Sequence, residues 1–193
     1  MKKLLYVDSC VMRETSRTKK IADALVAQLQ ATGEYVTEEL VLEKLDLRPL
    51  VSETLAHRNE LRAAEKFGDE MFDLAHQFAE ADEIVIAAPF WEGGYPALLK
   101  VYFEHISVTG IVNRYTDHGP VGACRASKLY YVTTRGGFAT DEQDLGWQNV
   151  KGLAQVFGID QAECISVNAT DIPTTNVDEV IAAAIASIPE RIG

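Results

Sequence analysis

Ile84-Val85-Ile86-Ala87-Ala88-Pro89 is the stretch on which the fold turns. An unbroken apolar run closed by proline reads as a strand buried on both faces, the habit of a parallel sheet covered by helices on each side. Upstream, Leu4-Leu5-Tyr6-Val7 is a run of the same kind and ends at Asp8-Ser9. Tyr35 to Leu42, Leu129 to Thr133 and Cys164 to Val167 supply three more strands. The segments between them are helical. Ile21, Ala22, Leu25, Val26 and Leu29 recur at helical spacing and stop at Gly33. Glu53 to Ala81 is helical and charged, with Gly68 a break. Pro96 suits the first turn of a helix that carries Leu98, Leu99, Tyr102, Phe103 and Ile106 on one face. Two further helices span Leu145 to Phe157, closed by Gly158, and Val177 to Ile188. Five strands alternating with helices predict an α/β fold with a doubly wound parallel sheet in the order 2-1-3-4-5.

Composition agrees with one such domain over residues 1–193, for the chain is 47% hydrophobic and 24% charged. A chain of this size buries about 70% of its unfolded surface and needs no disulfide or metal to hold its core. The formal charge of −11 sets most of the surface against nucleic acid. No apolar run approaches the roughly 20 residues of a membrane span. Met1 to Asp8 is too short and soon too polar for a signal peptide. Cys10, Cys124 and Cys164 are odd in number and far apart, which fits a reducing, cytoplasmic setting rather than a disulfide framework or a zinc site.

In this architecture ligands bind beyond the carboxyl ends of the strands, at the point where strand order reverses. Three loops lie there. Ser9 to Thr18 holds four hydroxyls and two arginines and runs into a helix. Helix N-terminal N–H groups favour a phosphate, and Ser9, Thr15, Ser16 and Thr18 with Arg17 exceed what a single helix cap needs. Pro89-Phe90-Trp91-Glu92-Gly93-Gly94-Tyr95-Pro96 offers aromatic surface for a flat ligand and glycines that admit close backbone approach. The same residues also suit packing over the sheet edge. Thr133-Thr134-Arg135-Gly136-Gly137-Phe138 is a third loop, and its glycines also suit a plain turn. A phosphate cradle, an aromatic wall and a glycine turn on one sheet edge match a flat ring carrying one phosphate, and FMN fits that description.

The sequence resembles the flavodoxin-like, FMN-dependent NADH azoreductase and quinone reductase family. The likeness rests on Ser16-Arg17-Thr18, on Pro89-Phe90-Trp91 with Pro96-Ala97-Leu98-Leu99-Lys100, on Arg114-Tyr115-Thr116 with Gly119-Pro120-Val121-Gly122, and on Thr134-Arg135-Gly136-Gly137. These occur in the family's order along essentially the whole chain. The resemblance implies a homodimer with FMN near its interface. It implies two-electron transfer from NADH or NADPH to a quinone, azo or nitro compound, with donor and acceptor entering the same space in turn. By position, Ser9, Ser16, Arg17 and Thr18 would hold the phosphate. Pro89, Phe90, Trp91, Glu92 and Gly93 would line the ring, and Thr134, Arg135, Gly136 and Gly137 would meet its other edge. Arg114 to Pro120 would help to roof the pocket. The chain departs from the family at Glu92, where Asn is frequent, at Gly93, where an aromatic is frequent, and at Asn113, where Phe is frequent. Gly93 is expected to widen the space beside Trp91.

Two other readings remain open at this point. Cys10 and Arg17 are reminiscent of the C-x5-R loop of low-molecular-weight tyrosine phosphatases, although six residues separate them here and no Asp precedes a proline. A flavodoxin-type electron carrier is the other. His57, His76, His105 and His118 show no metal-ligand spacing. His57 and His76 are expected in solvent, and His105 in a structural contact. The apolar residues of the helix after Pro96 are expected to exceed what one face needs and so to favour a dimer.

Overall fold

A computed structural model describes residues 1–192. Its main sheet is five-stranded, built from β1 (Lys2–Asp8), β2 (Tyr35–Val41), β3 (Glu83–Ala87), β6 (Lys128–Thr134) and β7 (Gln161–Val167). All neighbours are parallel, in the order β2-β1-β3-β6-β7. β4 (Asn113–Thr116) and β5 (Gly119–Gly122) form a separate antiparallel hairpin. Counting only the parallel strands, the order is the expected 2-1-3-4-5.

The pleat sorts each central strand into two cores, because successive side chains point to opposite faces. Leu4, Tyr6, Val85, Ala87, Tyr130 and Val132 face α1 (Arg17–Ala31), α6 (Val177–Ala186) and α7 (Ile188–Ile192). Leu5, Val7, Ile84, Ile86, Leu129 and Tyr131 face α3 (Asp73–Glu80), α4 (Ala97–Ile106) and α5 (Leu145–Phe157). α2 (Ser52–Ala63) adds Leu61 to the second core. Tyr102, Phe103 and Ile106 are buried there, with Leu42 and Leu61 in the same cluster and Leu98 packed against it. The apolar surplus expected on α4 is therefore absorbed within the chain and says nothing of a dimer.

β7 begins three residues before the apolar run that announced it. Gln161-Ala162-Glu163 is a strand because it pairs with Lys128 to Tyr130, not because of its composition. No residue of the hairpin lines the cleft it was expected to roof. The chain leaving its base packs at the amino edge of the sheet, where Cys124 N–H donates to Phe157 O at the end of α5 and Arg125 N–H to Ala79 O. A Cβ on Gly122 would come within 2.1 Å of the Gly158 backbone, so only glycine admits this approach. Asn113, at the hairpin's base, is buried with its Oδ1 unpartnered.

Candidate functional site

The loop after β1 is built around a buried carboxylate. Asp8 Oδ1 accepts from the Cys10 N–H (2.8 Å) and Asp8 Oδ2 from Arg13 (2.8 Å), whose Nε also reaches Glu43 (3.2 Å). Arg13 takes a left-handed φ of +48°, which this pairing holds in place. Ser9 does not face the open loop; its hydroxyl donates inward to Ala87 O (2.8 Å). Ser16 caps α1 by accepting from the Lys19 N–H (3.2 Å). The next two N–H groups, those of Arg17 and Thr18, make no hydrogen bond among the described residues. They are the free donors that make a helix start an anion cradle. Thr18 is buried, and its Oγ1 pairs with Thr134 Oγ1 (2.7 Å), tying this loop to the one after β6.

The loop after β3 is a tight two-residue turn. Trp91 and Gly94 exchange both backbone hydrogen bonds (3.0 and 2.8 Å), with Glu92 at φ +48° and Gly93 at +81° between them. Two consecutive left-handed residues favour Asn-Gly. Gly93 is thus required by the turn, and a Cβ there would meet only Leu145 Cδ1 at 4.0 Å. Backbone conformation, rather than the width of the space, accounts for this glycine. Glu92 stands exposed at the apex, and Phe90 N–H donates to Thr134 O (3.2 Å).

Arg135 is buried inside its own loop. Its Nε bonds Asp144 (3.0 Å), one terminal nitrogen reaches Asp141 (2.7 Å) and Asp144 (2.9 Å), and the other donates to Ala139 O (3.0 Å). Asp144 in turn caps α5. Arg135 therefore shapes the glycine loop and does not face the cleft. Both glycine carbonyls are tied down, Gly136 O by the Asp171 N–H (2.9 Å) and Gly137 O by the Ala169 N–H (2.8 Å). The N–H groups of Gly136 and Gly137 make no hydrogen bond among the described residues.

Together these loops enclose a cleft of about 440 Å³. Met12, Thr15, Ser16, Arg17 and Thr18 line it from the first loop, Pro89, Phe90 and Trp91 from the second, Thr134 and Gly136 from the third. Sequence reasoning missed a fourth contributor, Thr170-Asp171 after β7. The signal was available: this loop also leaves the carboxyl edge, and Asn168-Ala169-Thr170-Asp171 interrupts the apolar pattern there. Ser9, Glu92, Gly93, Arg135 and Gly137 are near the cleft in the chain but do not line it. A second groove, of about 470 Å³ between α3 and the β1–β2 edge, offers an anion little. Its Lys3 is held by Glu80 (2.7 Å), and its His76 is bonded to Phe67 O, not free in solvent as expected. His105 bonds Arg48 O, a structural contact as expected.

The thiol reading fails on geometry. Cys10 is 1% exposed and lines no part of the cleft, and burial together with Asp8 pushes its thiol up to about 12. A phosphatase nucleophile needs the opposite shift.

With fold and site in place, comparison with known proteins settles the family. The chain belongs to the family described as flavodoxin-like fold, whose model matches residues 2–192. It is 35% identical over 192 residues to an FMN-dependent NADH:quinone oxidoreductase of Clostridium beijerinckii, covering 96% of this chain and 95% of that one. An enzyme of the same name from Clostridium perfringens is 32% identical over 186 residues, covering 94% and 93%. Among solved structures, an azoreductase from Bacillus anthracis superposes with a TM-score of 0.87 at 22% identity, over 99% of this chain and 98% of the other. An FMN-dependent NADH-azoreductase from the same species, solved with FMN, gives 0.84 at 18% identity, over 99% and 97%.

Proposed function

We propose that the protein is a single-domain, FMN-dependent NAD(P)H oxidoreductase that reduces quinones, azo or nitro compounds. One observation carries the reading: the two free N–H groups at the start of α1 share a cleft with Trp91 and with the glycine loop after β6. The names of the relatives support the same chemistry. FMN bound there would supply hydride transfer from NADH or NADPH to the acceptor.

The chain's own residues supply placement. The Arg17 and Thr18 N–H groups, the Arg17 guanidinium and the Ser16 hydroxyl hydrogen are the phosphate donors. Phe90 and Trp91 give the ring an apolar wall and keep water from one side. Gly136 has its carbonyl tied back, so its N–H is free to donate to the ring's polar edge, with Gly137 next in line. Such preset donors stabilise charge where it gathers and need no reorganisation. No side-chain acid or base is required for hydride arrival.

Exposed apolar side chains fringe the same loops: Met12, Trp91, Phe138 and Leu145. We infer a homodimer that covers them and closes the cleft, in place of the α4 face first expected. Among the described residues no helix is long and apolar enough to cross a membrane, and three unpaired thiols fit the cytoplasm. The deciding experiment is the visible spectrum of the purified protein, followed by NADH-driven quinone turnover. A yellow band released on denaturation and identified as FMN is expected. Apoprotein that takes up no FMN at micromolar concentration overturns the proposal, and FMN binding without turnover assigns the electron carrier. Light scattering that shows a fully active monomer removes the dimer.

A further inference from the structure

Arg17 and Asp171 are the only charged side chains among the described residues lining the cleft. They are bonded to each other, Arg17 Nη1 to Asp171 Oδ1 at 2.6 Å, between the first turn of α1 and the loop after β7. Of the other cations near the first loop, Arg13 is committed to Asp8 and Glu43, and Lys19 to Asp23 at 2.7 Å with Asp8 and Glu39 close by. Lys20 lines a neighbouring groove with Glu14 and Asp178 and does not line the cleft. A phosphate approaching the free N–H groups of Arg17 and Thr18 thus finds one guanidinium, and that guanidinium already holds a carboxylate.

Asp171 is not there by the chance swing of a long side chain. Three successive N–H groups, of Ala169, Thr170 and Asp171, donate to the carbonyls of Gly137, Arg135 and Gly136. The Thr170 hydroxyl adds a bond to Arg135 O (3.1 Å). Ala169 accepts a left-handed φ of +61° to allow this. The carboxylate lies against Gly136, where a Cβ would stand 2.3 Å from Asp171 Oδ2. The backbone of the loop that positions the glycines also fixes the carboxylate across the cleft.

We propose that Asp171 sets the affinity of this site by competing with the ligand's phosphate for Arg17. The inference rests on the FMN reading above and deepens it. A bound phosphate must either displace the carboxylate or share one guanidinium with a second anion at close range, and both weaken binding. A doubly charged phosphate monoester wins this contest on charge. A ligand without the phosphate does not enter it, so the carboxylate acts on FMN and leaves riboflavin untouched.

The test is calorimetric titration of apoprotein with FMN and with riboflavin, in wild type, Asp171→Asn, Arg17→Gln and the double variant. Asn keeps the size of the side chain and removes its charge. Asp171→Asn is expected to bind FMN about two- to fivefold tighter, the range of an exposed ion pair, with riboflavin unchanged. The gain should vanish in the Arg17→Gln background and shrink at about 1 M salt, where screening acts within roughly 3 Å. Asp171→Asn that binds FMN as wild type does, or more weakly, overturns the inference while FMN binding by wild type stands. Weaker binding of FMN and riboflavin alike would make Asp171 an acceptor for the ligand's hydroxyl chain instead. Wild type that binds no FMN overturns the function reading, and this inference with it.

Discussion

Arg17 and Arg135 both lie at the carboxyl edge of the sheet, and both stand beside hydroxyl residues that line the cleft. Arg17 is half exposed and holds one carboxylate across the cleft. Arg135 is 1% exposed and is bonded on three nitrogens to its own loop. The difference lies in what surrounds them. Arg17 is the first residue of a helix and is exposed. Arg135 continues a buried central strand and finds two carboxylates, Asp141 and Asp144, folded back over it. The same kind of side chain lines the cleft in one place and is an internal strut in the other.

Breaking the strut should have the largest effect. Arg135→Ala leaves the buried Asp144 without its cation and is expected to cost about 3–5 kcal/mol in urea unfolding. A loss below about 1 kcal/mol, the scale of an exposed pair, would mean the guanidinium is not the strut described. Arg17→Gln should do the reverse. Stability should hold within about 0.5 kcal/mol, as for exposed sites. FMN binding should fall roughly ten- to a hundredfold with the loss of a charge-assisted bond worth about 1.5–3 kcal/mol. If the two arginines respond alike in both measurements, the contrast between them is wrong.

Ser16→Ala sharpens the comparison inside the first loop, because Ser16 serves helix and ligand at once. Loss of its cap should cost about 1 kcal/mol of stability, so a double change of Ser16 and the buried Thr18 to Ala would not spare the fold. Unchanged unfolding in Ser16→Ala would free its hydroxyl for the ligand alone. The smallest effect is expected at the turn. Glu92→Asn places a residue tolerant of left-handed φ beside Gly93 and should stabilise by about 0.5–1 kcal/mol. Destabilisation would show that the Glu92 side chain does something the turn does not require.

Several particulars are legible in the residues themselves. The apolar runs Leu4–Val7 and Ile84–Ala88 mark buried parallel strands, because strands covered on both faces have no polar side to alternate with. Leu145 and Gly158 mark α5, since helix periodicity and a left-handed terminal glycine are local properties. The first loop is readable as a candidate anion site because its donors come from the start of one helix. Where reading fails, the deciding partner lies far along the chain. Ser9 looks like a phosphate ligand until Ala87 O, seventy-eight residues away, claims its hydroxyl. Tyr102 and Phe103 look surplus until Leu42 and Leu61 join them in one core.

What the sequence alone determined, then, is the alternation of strands and helices, the strand order it implies, and which edge carries the candidate site loops, for these follow from periodicity, caps and the handedness of βαβ connections. Only the tertiary structure decided the direction each loop side chain takes. It sent Arg135 inward to Asp144 and Arg17 outward to Asp171, brought Thr170-Asp171 in as a fourth wall, and anchored the base of the Asn113–Gly122 hairpin beside the end of α5. The reason is physical. A buried charge or hydroxyl must find a partner, and that partner is set by which strand ends the sheet brings side by side, a property no local stretch of residues contains.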